Sequence, residues 1–346
     1  MQSSQRPPAA GRAPRTRPTL RDVAAGARVS TMTVVRVLRA PDKVAADTRA
    51  RVAAVIAATG YTPDLHARGL ALNRTGVVAA IVPLLTNSLV AEVVQGMTAR
   101  LEAAGIHLLI GSSGFSAARE EALVRAFLSR RVDAIFLTGT SHTKATRDLL
   151  AAAALPVVEG GNLTRNPIDM VAGFSNRKAS ETVTRHLAGR CAGPIGFIGA
   201  HTRDNDRARD RLAGFRAVMR ALGRPVDPDL IVETDLDMTS GAEAATALLA
   251  RRPELRGLLC SADALAAGAL FACQRRGVAV PDRLAIAAFD DIEIAALVSP
   301  GLTTIRVPRL RIGACAAELI LARLAGRRVP RRIVDVGFEL VRRGSA

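Results

Sequence analysis

The sequence predicts a small all-α domain followed by a larger core of two α/β lobes. Three observations carry this prediction. Residues 19–60 show only helical periodicity, short apolar runs alternate with amphipathic helices from Gly76 onward, and this alternation restarts near residue 175. Apolar strands that alternate with amphipathic helices are typical of doubly wound parallel sheets. At 346 residues the chain is long enough for two or three domains with a large core.

Residues 1–18 are rich in Pro and Arg and lack the apolar run of a secretory signal, so we expect a disordered basic arm. The formal net charge is +17, and residues 1–75 hold 13 Arg and Lys but only four acids, a net of +9. A GC-rich genome that favours Arg and Ala would explain much of the total but not this asymmetry. The excess therefore favours a polyanionic partner for the first fifth of the chain.

Residues 19–63 carry the pattern of three short helices. Ser30 is the expected N-cap of the second helix, Asp47 that of the third, and Gly60 follows the third helix as a plausible terminator. Two helices joined by a tight turn form a helix-turn-helix, whose second helix enters the major groove of DNA. Periodicity alone leaves open the alternative that the second helix is a solvent-facing helix of a small bundle and does not contact DNA.

The start of the second helix holds side chains suited to reading bases. Thr31, Met32 and Thr33 occupy its first turn, and Arg36 follows one turn later. In a helix-turn-helix the N-terminal residues of this helix meet base edges. Arg36 can pair with guanine through two hydrogen bonds, while Thr and Met can contact bases or thymine methyl groups.

Residues 64–75 are polar and basic and are predicted to be a hinge, with a possible short helix at 66–71. The core then spans residues 76–346, with lobes at about 76–174 and 175–305 and a tail that returns to the lobes. Its strand-like runs are, in order, GVVAAIVP, IHLLIGSS, VDAIFLTG and PVVEGG in the first lobe and PIGFIGA, DLIVET, RGLLCSA and LAIAAFDD in the second. Open α/β sheets bind ligands beyond the carboxyl ends of their strands, so residues directly after strands are the ligand candidates.

Signatures of catalysis and of cofactor binding are missing from the sequence. It contains no Gly-x-x-x-x-Gly-Lys-Ser/Thr phosphate loop, no dinucleotide-binding fingerprint and no Gly-x-Ser-x-Gly elbow. The four cysteines are scattered without a Cys-x-x-Cys pair, so we expect reduced thiols in a cytoplasmic protein and no zinc site. No apolar stretch is long enough to span a membrane. We therefore predict a protein that is not an enzyme and has no cofactor, catalytic residue or metal ligand.

Four short motifs occur in order near the N-terminus: Thr-Leu-x-Asp-Val-Ala, Val-Ser-x-x-Thr-Val-x-Arg-Val-Leu, Thr-Arg-x-x-Val and Gly-Tyr-x-Pro. Together they resemble the DNA-binding domain of the LacI/GalR (lactose-repressor) family. The resemblance extends to about residue 340 through DRLAGFRAVMRALG, LLCSADALAAGALFACQRRG and LTTIRVPRLRIGACAAELILARLAG. Within the family, LTGTSHTKAT, PVVEGGN and VAGFSN look most like the gluconate-operon repressors.

This resemblance implies a sequence-specific transcriptional repressor whose core is similar to periplasmic binding proteins. Such a protein binds operator DNA as a homodimer under the control of a small sugar or sugar-acid effector. The resemblance places Thr31, Met32 and Arg36 at base-reading positions and adds Thr19 to the DNA surface. It places Arg68 in a hinge helix, with Leu70 as a wedge in the minor groove.

The resemblance also implies an effector site between the lobes. Arg211 and Asp290 fall on the family's principal polar contacts; Arg suits a carboxylate, and Asp accepts hydrogens from hydroxyl groups. In the Cys-Ser-Ala-Asp turn, Ala262 stands where the family often has Asn, whereas the following Asp263 matches the family pattern. Four further residues follow strands on the same rim and are candidates: Asn87, His142, Glu159 and Phe174. For His142 and Glu159 a salt bridge at the cleft edge is the alternative.

Two departures from the family pattern concern DNA docking. Arg28 stands where the turn often has Gly, which costs energy if its φ is positive, and Val35 replaces a Ser that often contacts phosphate. A different class of protein also remains open, namely a sugar-binding protein or sugar-modifying enzyme on the same scaffold. The missing secretory signal argues against an exported solute-binding protein. No heptad-rich tail follows residue 342, so no tetramerisation helix of the lactose-repressor kind is expected.

Overall fold

A computed structural model describes residues 18–62, 74–85, 88–224 and 226–346. The chain divides into two compact units, with the boundary between residues 73 and 74. The first unit is helical and the second is built on two β-sheets. The predicted fold class, an all-α helix-turn-helix domain followed by a two-lobed α/β core, is confirmed.

The helical unit contains α1 (Leu20–Ala27), α2 (Thr31–Arg39) and α3 (Ala46–Thr59), with a 3-10 turn at Pro41–Lys43. Its buried core is small and comes from all three helices and the segment after α3; it comprises Val23, Ala24, Ala27, Val34, Val52 and Tyr61. This packing fixes the angle between α1 and α2 and leaves the outer face of α2 in solvent.

The helix starts in this unit are set by hydrogen-bonding caps. The Thr33 amide donates to Ser30 Oγ at 3.1 Å, so the predicted N-cap at Ser30 is confirmed. The prediction of Asp47 as the N-cap of α3 is wrong, because α3 begins at Ala46 after Ala45, which makes no side-chain cap. Asp47 instead lies in the first turn, where its charge suits the helix dipole.

Arg28 occupies the turn between α1 and α2 with φ 54° and ψ 49°, in the left-handed region. A side chain in this region costs about 1–2 kcal/mol relative to the right-handed one, a cost that Gly avoids. The turn keeps its geometry because the Val29 amide donates to the Ala24 carbonyl at 3.0 Å and the Arg28 amide to the Ala25 carbonyl at 3.2 Å. The departure at Arg28 therefore strains the turn without reshaping it.

The first sheet of the core has six parallel strands in the order β11-β5-β4-β3-β1-β2. Their bounds are β1 Val77–Val82, β2 His107–Ser112, β3 Ala134–Thr138, β4 Val157–Gly160, β5 Met170–Gly173 and β11 Ile333–Asp335. Five of these strands are consecutive in the chain, whereas β11 comes from the C-terminal tail.

The second sheet also has six strands, in the order β12-β10-β9-β8-β6-β7. Their bounds are β6 Ile195–Ala200, β7 Ile231–Thr234, β8 Gly257–Cys260, β9 Ala285–Asp290, β10 Thr303–Arg306 and β12 Glu339–Val341. Only β12 is antiparallel to its neighbour, β10. The tail thus adds one strand to each sheet.

Helices connect the strands and cover both sheets. They are α4 Ser88–Glu102, α5 Ala117–Ser129, α6 Lys144–Ala153, α7 Asn176–Arg190, α8 Asp206–Ala221, α9 Met238–Arg251, α10 Asp263–Arg275, α11 Glu293–Leu297 and α12 Arg309–Leu324. Although α12 follows the second sheet in the chain, it packs on the first lobe, against α4, β4 and β5. The chain therefore crosses between the lobes after β5, before α12 and between β11 and β12.

Two glycines allow α4 and α12 to approach closely. A Cβ on Gly96 would overlap the Leu310 carbonyl, and a Cβ on Gly313 would overlap the Val93 carbonyl. The helices therefore meet backbone to backbone. This contact sets the position of Arg309, the first residue of α12, at the boundary between the lobes.

Candidate functional site

The outer face of α2 presents the residues predicted to read DNA. Thr31 and Arg36 are exposed, and the Met32 side chain is 66% exposed, unusual for a large apolar residue. Thr33 is half-buried, and its hydroxyl lies 2.9 Å from Ser30 Oγ, so it also stabilises the helix start. Val35 is half-buried. An exposed methionine beside an arginine is a surface suited to a partner.

Thr19 caps α1. Its hydroxyl and its amide both donate to Asp22 Oδ2 at 2.7 Å, and the Asp22 amide donates back to Thr19 Oγ1 at 3.4 Å. The predicted DNA contacts Arg68 and Leu70 and the predicted effector contact Asn87 lie outside the described residues.

A cavity of about 260 Å³ lies in the core beyond the carboxyl ends of strands from both sheets. Four of the predicted effector residues line it: Arg211, Asp290, Asp263 and Phe174. Five polar residues that the sequence analysis did not single out line it as well: Thr138, Asn205, Arg207, Ser261 and Arg309. The cavity thus has charged groups from both lobes and an apolar wall.

Arg211, on α8, is the most extensively held side chain of the cavity. Its Nε donates to Asn176 Oδ1 at 2.9 Å, its Nη1 to the Ser261 carbonyl at 2.6 Å and its Nη2 to Asp290 Oδ1 at 3.3 Å. The guanidinium also stacks on Phe289, 3.8 Å from the ring centroid. Burial lowers its pKa, an effect that the charge of Asp290 opposes. The guanidinium is therefore fixed in one orientation.

Two buried carboxyl groups lie beside it. Asp290 ends β9 with φ 111°, a strained conformation of the kind that concentrates at functional sites. Burial raises the pKa of Asp290, and Arg211 opposes that shift. Asp263 accepts from the Thr304 hydroxyl at 2.6 Å and from the Ile292 amide at 2.7 Å. Burial, with the nearby charge of Asp290, raises the pKa of Asp263 to about 8.

Phe115, Phe136 and Phe174 contribute aromatic rings to the apolar wall. Phe174 is buried, and its ring centroid lies 6.4 Å from those of both Phe289 and Phe338. Because Phe289 also carries the stacked Arg211, this cluster supports the charged side of the cavity from behind. Phe174 is thus brought together with Arg211 and Asp290, as predicted from its place after β5.

Asp206, at the start of α8, bonds the second lobe to the first. Its Oδ2 accepts from the Thr140 amide at 3.0 Å, the Thr140 hydroxyl at 2.9 Å and Asn162 Nδ2 at 2.9 Å. Burial alone would raise the pKa of Asp206, but the charge of Arg207 and these hydrogen bonds lower it. A charged carboxylate therefore holds the lobes together at the edge of the cavity.

His142 and Glu159 do not join the effector cavity. His142 Nδ1 lies 2.7 Å from Glu120 Oε1, and Nε2 lies 3.4 Å from Glu159 Oε1, with the His142 and Glu159 side chains fully buried. The other Glu159 oxygen accepts from the Ile168 amide at 2.6 Å. This arrangement fits the alternative of a cleft-edge salt bridge, because both groups are taken up by partners within the first lobe.

Asn176 and Arg309 are two polar contacts of this site that the sequence analysis missed. Asn176 is the last residue of the FSN turn after β5, so the rule that ligand contacts follow strands could have found it. Arg309 comes three residues after β10, and its helix belongs to the other lobe, which only the fold reveals.

The stability of the core is expected to fall as pH rises from 6.5 to 8.5. Burial acts to lower the pKa of His142, but Glu120 and Glu159 outweigh it and raise the pKa to about 9. The protonated imidazole therefore stabilises the folded state fully below pH 6.5, and this contribution is lost as pH approaches 9. The loss from His142 over this interval is about 2 kcal/mol.

Asp263 adds to this trend. Its carboxyl keeps a proton up to about pH 8 in the folded state but loses it near pH 3.8 in the unfolded chain, so the free energy of unfolding falls as pH rises toward 8. Urea unfolding at pH 6.5 and 8.5 measures the effect. His142→Gln should be less stable than the wild type at pH 6.5 and should show a shallower pH dependence. A pH dependence that His142→Gln leaves unchanged would contradict the assignment of charge to this imidazole.

Two further properties concern the described part of the chain. It holds no group of three or more His, Cys, Asp or Glu side chains placed to bind a metal ion. None of its helices is long and apolar enough to cross a membrane.

The sequence matches two family models. Residues 19–64 match "Bacterial regulatory proteins, lacI family", and residues 184–346 match "Periplasmic binding protein-like domain". The chain is 33% identical over 329 residues to the HTH-type transcriptional regulator GntR of Escherichia coli K12, covering 95% of this chain and 98% of that protein.

The chain is also similar to solved structures of transcription regulators. The transcription regulator GntR from Chromobacterium violaceum is 38% identical with a TM-score of 0.74, covering 78% of this chain and 98% of that one. A LacI-family transcriptional regulator from Silicibacter pomeroyi is 32% identical with a TM-score of 0.87, covering 94% of this chain and 98% of that one. These relatives are named as regulators of transcription.

Proposed function

The chain belongs to the LacI family of bacterial regulatory proteins, and from this premise we propose that it is an operator-binding repressor controlled by a sugar-acid effector. As a member of this family it is a DNA-binding regulator of transcription and not an enzyme. The operator, the homodimeric state, the cytoplasmic location and the effector belong to the proposal.

The surface of α2 supports the DNA-reading part of the proposal. Thr31, Met32 and Arg36 are exposed at and after the N-terminus of a helix whose opposite face is packed on α1 and α3. One such helix reads one half-site, so a homodimer would place two in successive major grooves of a near-palindromic operator. Arg68 and Leu70 complete the proposed DNA contacts, in a hinge that docks in the minor groove.

One observation carries the effector part of the proposal: guanidinium groups (Arg207, Arg211, Arg309) and carboxyl groups (Asp263, Asp290) line the same cavity of about 260 Å³. This volume lies below the range of about 300–1,000 Å³ that is usual for drug-sized ligands, so it favours a small ligand such as a single sugar. A guanidinium binds a carboxylate, and carboxylate oxygens accept hydrogens from hydroxyl groups. A molecule with one acid group and several hydroxyls uses both, so we propose a sugar acid such as gluconate, consistent with the resemblance to gluconate-operon repressors.

A gel-shift assay with DNA from upstream of the protein's own gene tests the proposal. We expect a sequence-specific shift whose strength changes when gluconate is added. Arg36→Ala should weaken binding to the specific site about tenfold or more, since a base-reading pair contributes about 1–3 kcal/mol, and should weaken non-specific binding far less.

Arg21→Ala is the matched control, because it removes an exposed positive charge of the same domain from α1. Its effect on specific and on non-specific DNA should be equal. A protein that binds sugar acids but shifts no specific DNA would contradict the operator-binding proposal and favour a sugar-binding role.

A further inference from the structure

Arg309 is a buried arginine of the cavity, and one of its hydrogen-bond donors has no partner among the described residues. Its side chain is 9% exposed, its Nη1 donates to the Asp290 carbonyl, and its Nη2 donates to Glu92 Oε1 at 2.8 Å. Its Nε is buried and has no hydrogen-bond partner in the described part of the chain. A buried donor that stays unpaired costs about 1–3 kcal/mol, and more when it is charged.

Arg211 differs from Arg309 in this respect. Its Nε and both Nη nitrogens already bond Asn176, Asp290 and the Ser261 carbonyl, and Phe289 covers one face of the guanidinium. An incoming acid group therefore finds Arg211 largely occupied, whereas Arg309 offers the Nε–H and the second hydrogen of each Nη.

The ion pairs around the cavity support the same distinction between Arg309 and Arg211. Arg207 pairs with Asp206 at 3.1 Å and Arg211 with Asp290 at 3.3 Å, with all four side chains largely buried. The carboxylate partner of Arg309 is Glu92, whose side chain is 37% exposed, so solvent screens its charge. The charge of Arg309 also acts on Asp290, but Asp290 forms its ion pair with Arg211, so Arg309 is the cavity guanidinium whose own ion-pair partner is the most exposed of the three.

We propose that Arg309 is the acid anchor of the effector, binding its carboxylate through Nε and a neighbouring Nη, while Arg211 and Asp290 bind its hydroxyl groups. Arginine binds carboxylates through two parallel hydrogen bonds, which this pair of donors supplies. This inference rests on the proposed sugar-acid effector and deepens it, because it assigns the acid group to one residue.

Calorimetric titration of the full-length protein with three probes tests the inference: D-gluconate, its neutral polyol counterpart sorbitol, and glucose 6-phosphate. The wild type should prefer gluconate to the other two. Arg309→Met should weaken gluconate binding about 10-fold or more, as expected for a lost hydrogen bond to a charged group, and should leave sorbitol binding unchanged. A merely structural role would weaken both probes alike.

Arg311→Met is the matched control, since Arg311 is exposed on the same helix. It should bind all three probes as the wild type does. If Arg309→Met does not fold, Arg309→Lys serves instead, because it keeps a charge for Glu92 but has no Nε donor, and the preference for gluconate over sorbitol should still fall.

The outcomes separate the two proposals. A wild type that binds gluconate and an Arg309→Met variant that binds it equally well would overturn the role of Arg309 and leave the proposed function standing. Preferential, Arg309-dependent binding of glucose 6-phosphate would overturn the assignment to a carboxylate. A wild type that shifts operator DNA but binds none of the probes would overturn the sugar-acid effector, and the anchor with it.

Discussion

Arg211→Met is expected to abolish the response to the effector and to lower the free energy of unfolding by about 3–5 kcal/mol at pH 7. The reason is the carboxylate left behind: Asp290 is 4% exposed and has Arg211 as its ion-pair partner. Removing one member of a buried pair leaves the other charge poorly compensated, here with the charge of Arg309 as its remaining favourable interaction, and this costs more than the pair itself contributes. The variant also loses the hydrogen bonds to Asn176 and the Ser261 carbonyl.

Urea unfolding measures the loss, and its pH dependence identifies the cause. Burial already raises the pKa of Asp290, and loss of Arg211 raises it further. The deficit should therefore shrink at pH 5, where Asp290 is more readily protonated in the folded state. Arg211→Met combined with Asp290→Asn should recover part of the stability at pH 7 but not the effector response.

Arg216→Met provides the control, because Arg216 is exposed on the same helix as Arg211. It should retain wild-type stability and effector response. An Arg211→Met variant that unfolds at the wild-type urea concentration and still responds to the effector would show that the cavity is not the effector site.

The general architecture follows from periodicity, whereas the direction of individual side chains does not. Helical and strand periods place the three N-terminal helices and the two α/β lobes. The rule that ligands bind beyond strand ends brings Asp290 and Phe174 to one cavity, whereas Arg211, which lies on a helix, is assigned to it only by the family resemblance. The side-chain direction of Glu159 could not be predicted in this way. All four residues of β4 are buried. A parallel strand covered on both faces gives no alternation from which to read which side faces the cleft.

The position of Arg309 in the cavity could not be predicted from the sequence, for a different reason. It begins a helix that follows the second sheet in the chain but packs on the first lobe, so its position in the cavity depends on a crossover between lobes. Arg309 bonds the Asp290 carbonyl, 19 positions away in the chain, and Glu92, 217 positions away. Such long-range contacts leave no local pattern of residues, and only the fold brings them together.

Gly313→Ala is expected to lower the free energy of unfolding by about 3 kcal/mol or more. A Cβ at this position would overlap the Val93 carbonyl oxygen and lie 2.9 Å from the Met97 amide nitrogen. These are backbone atoms of α4, so relief requires the two helices to separate along their whole contact. Overpacking of a tight core typically costs about 1–3 kcal/mol, and a clash with backbone lies at or beyond the upper end of that range.

Gly189→Ala is the matched control, since Gly189 lies exposed in the last turns of α7 and a Cβ there would meet nothing within 4 Å. It should be neutral or gain up to about 1 kcal/mol from the higher helix propensity of Ala. Urea midpoints of the two variants at equal m values measure the difference. Because α12 begins at Arg309, Gly313→Ala should also weaken gluconate binding, whereas Gly189→Ala should not. Equal midpoints for both variants would mean that α4 and α12 are not in backbone contact.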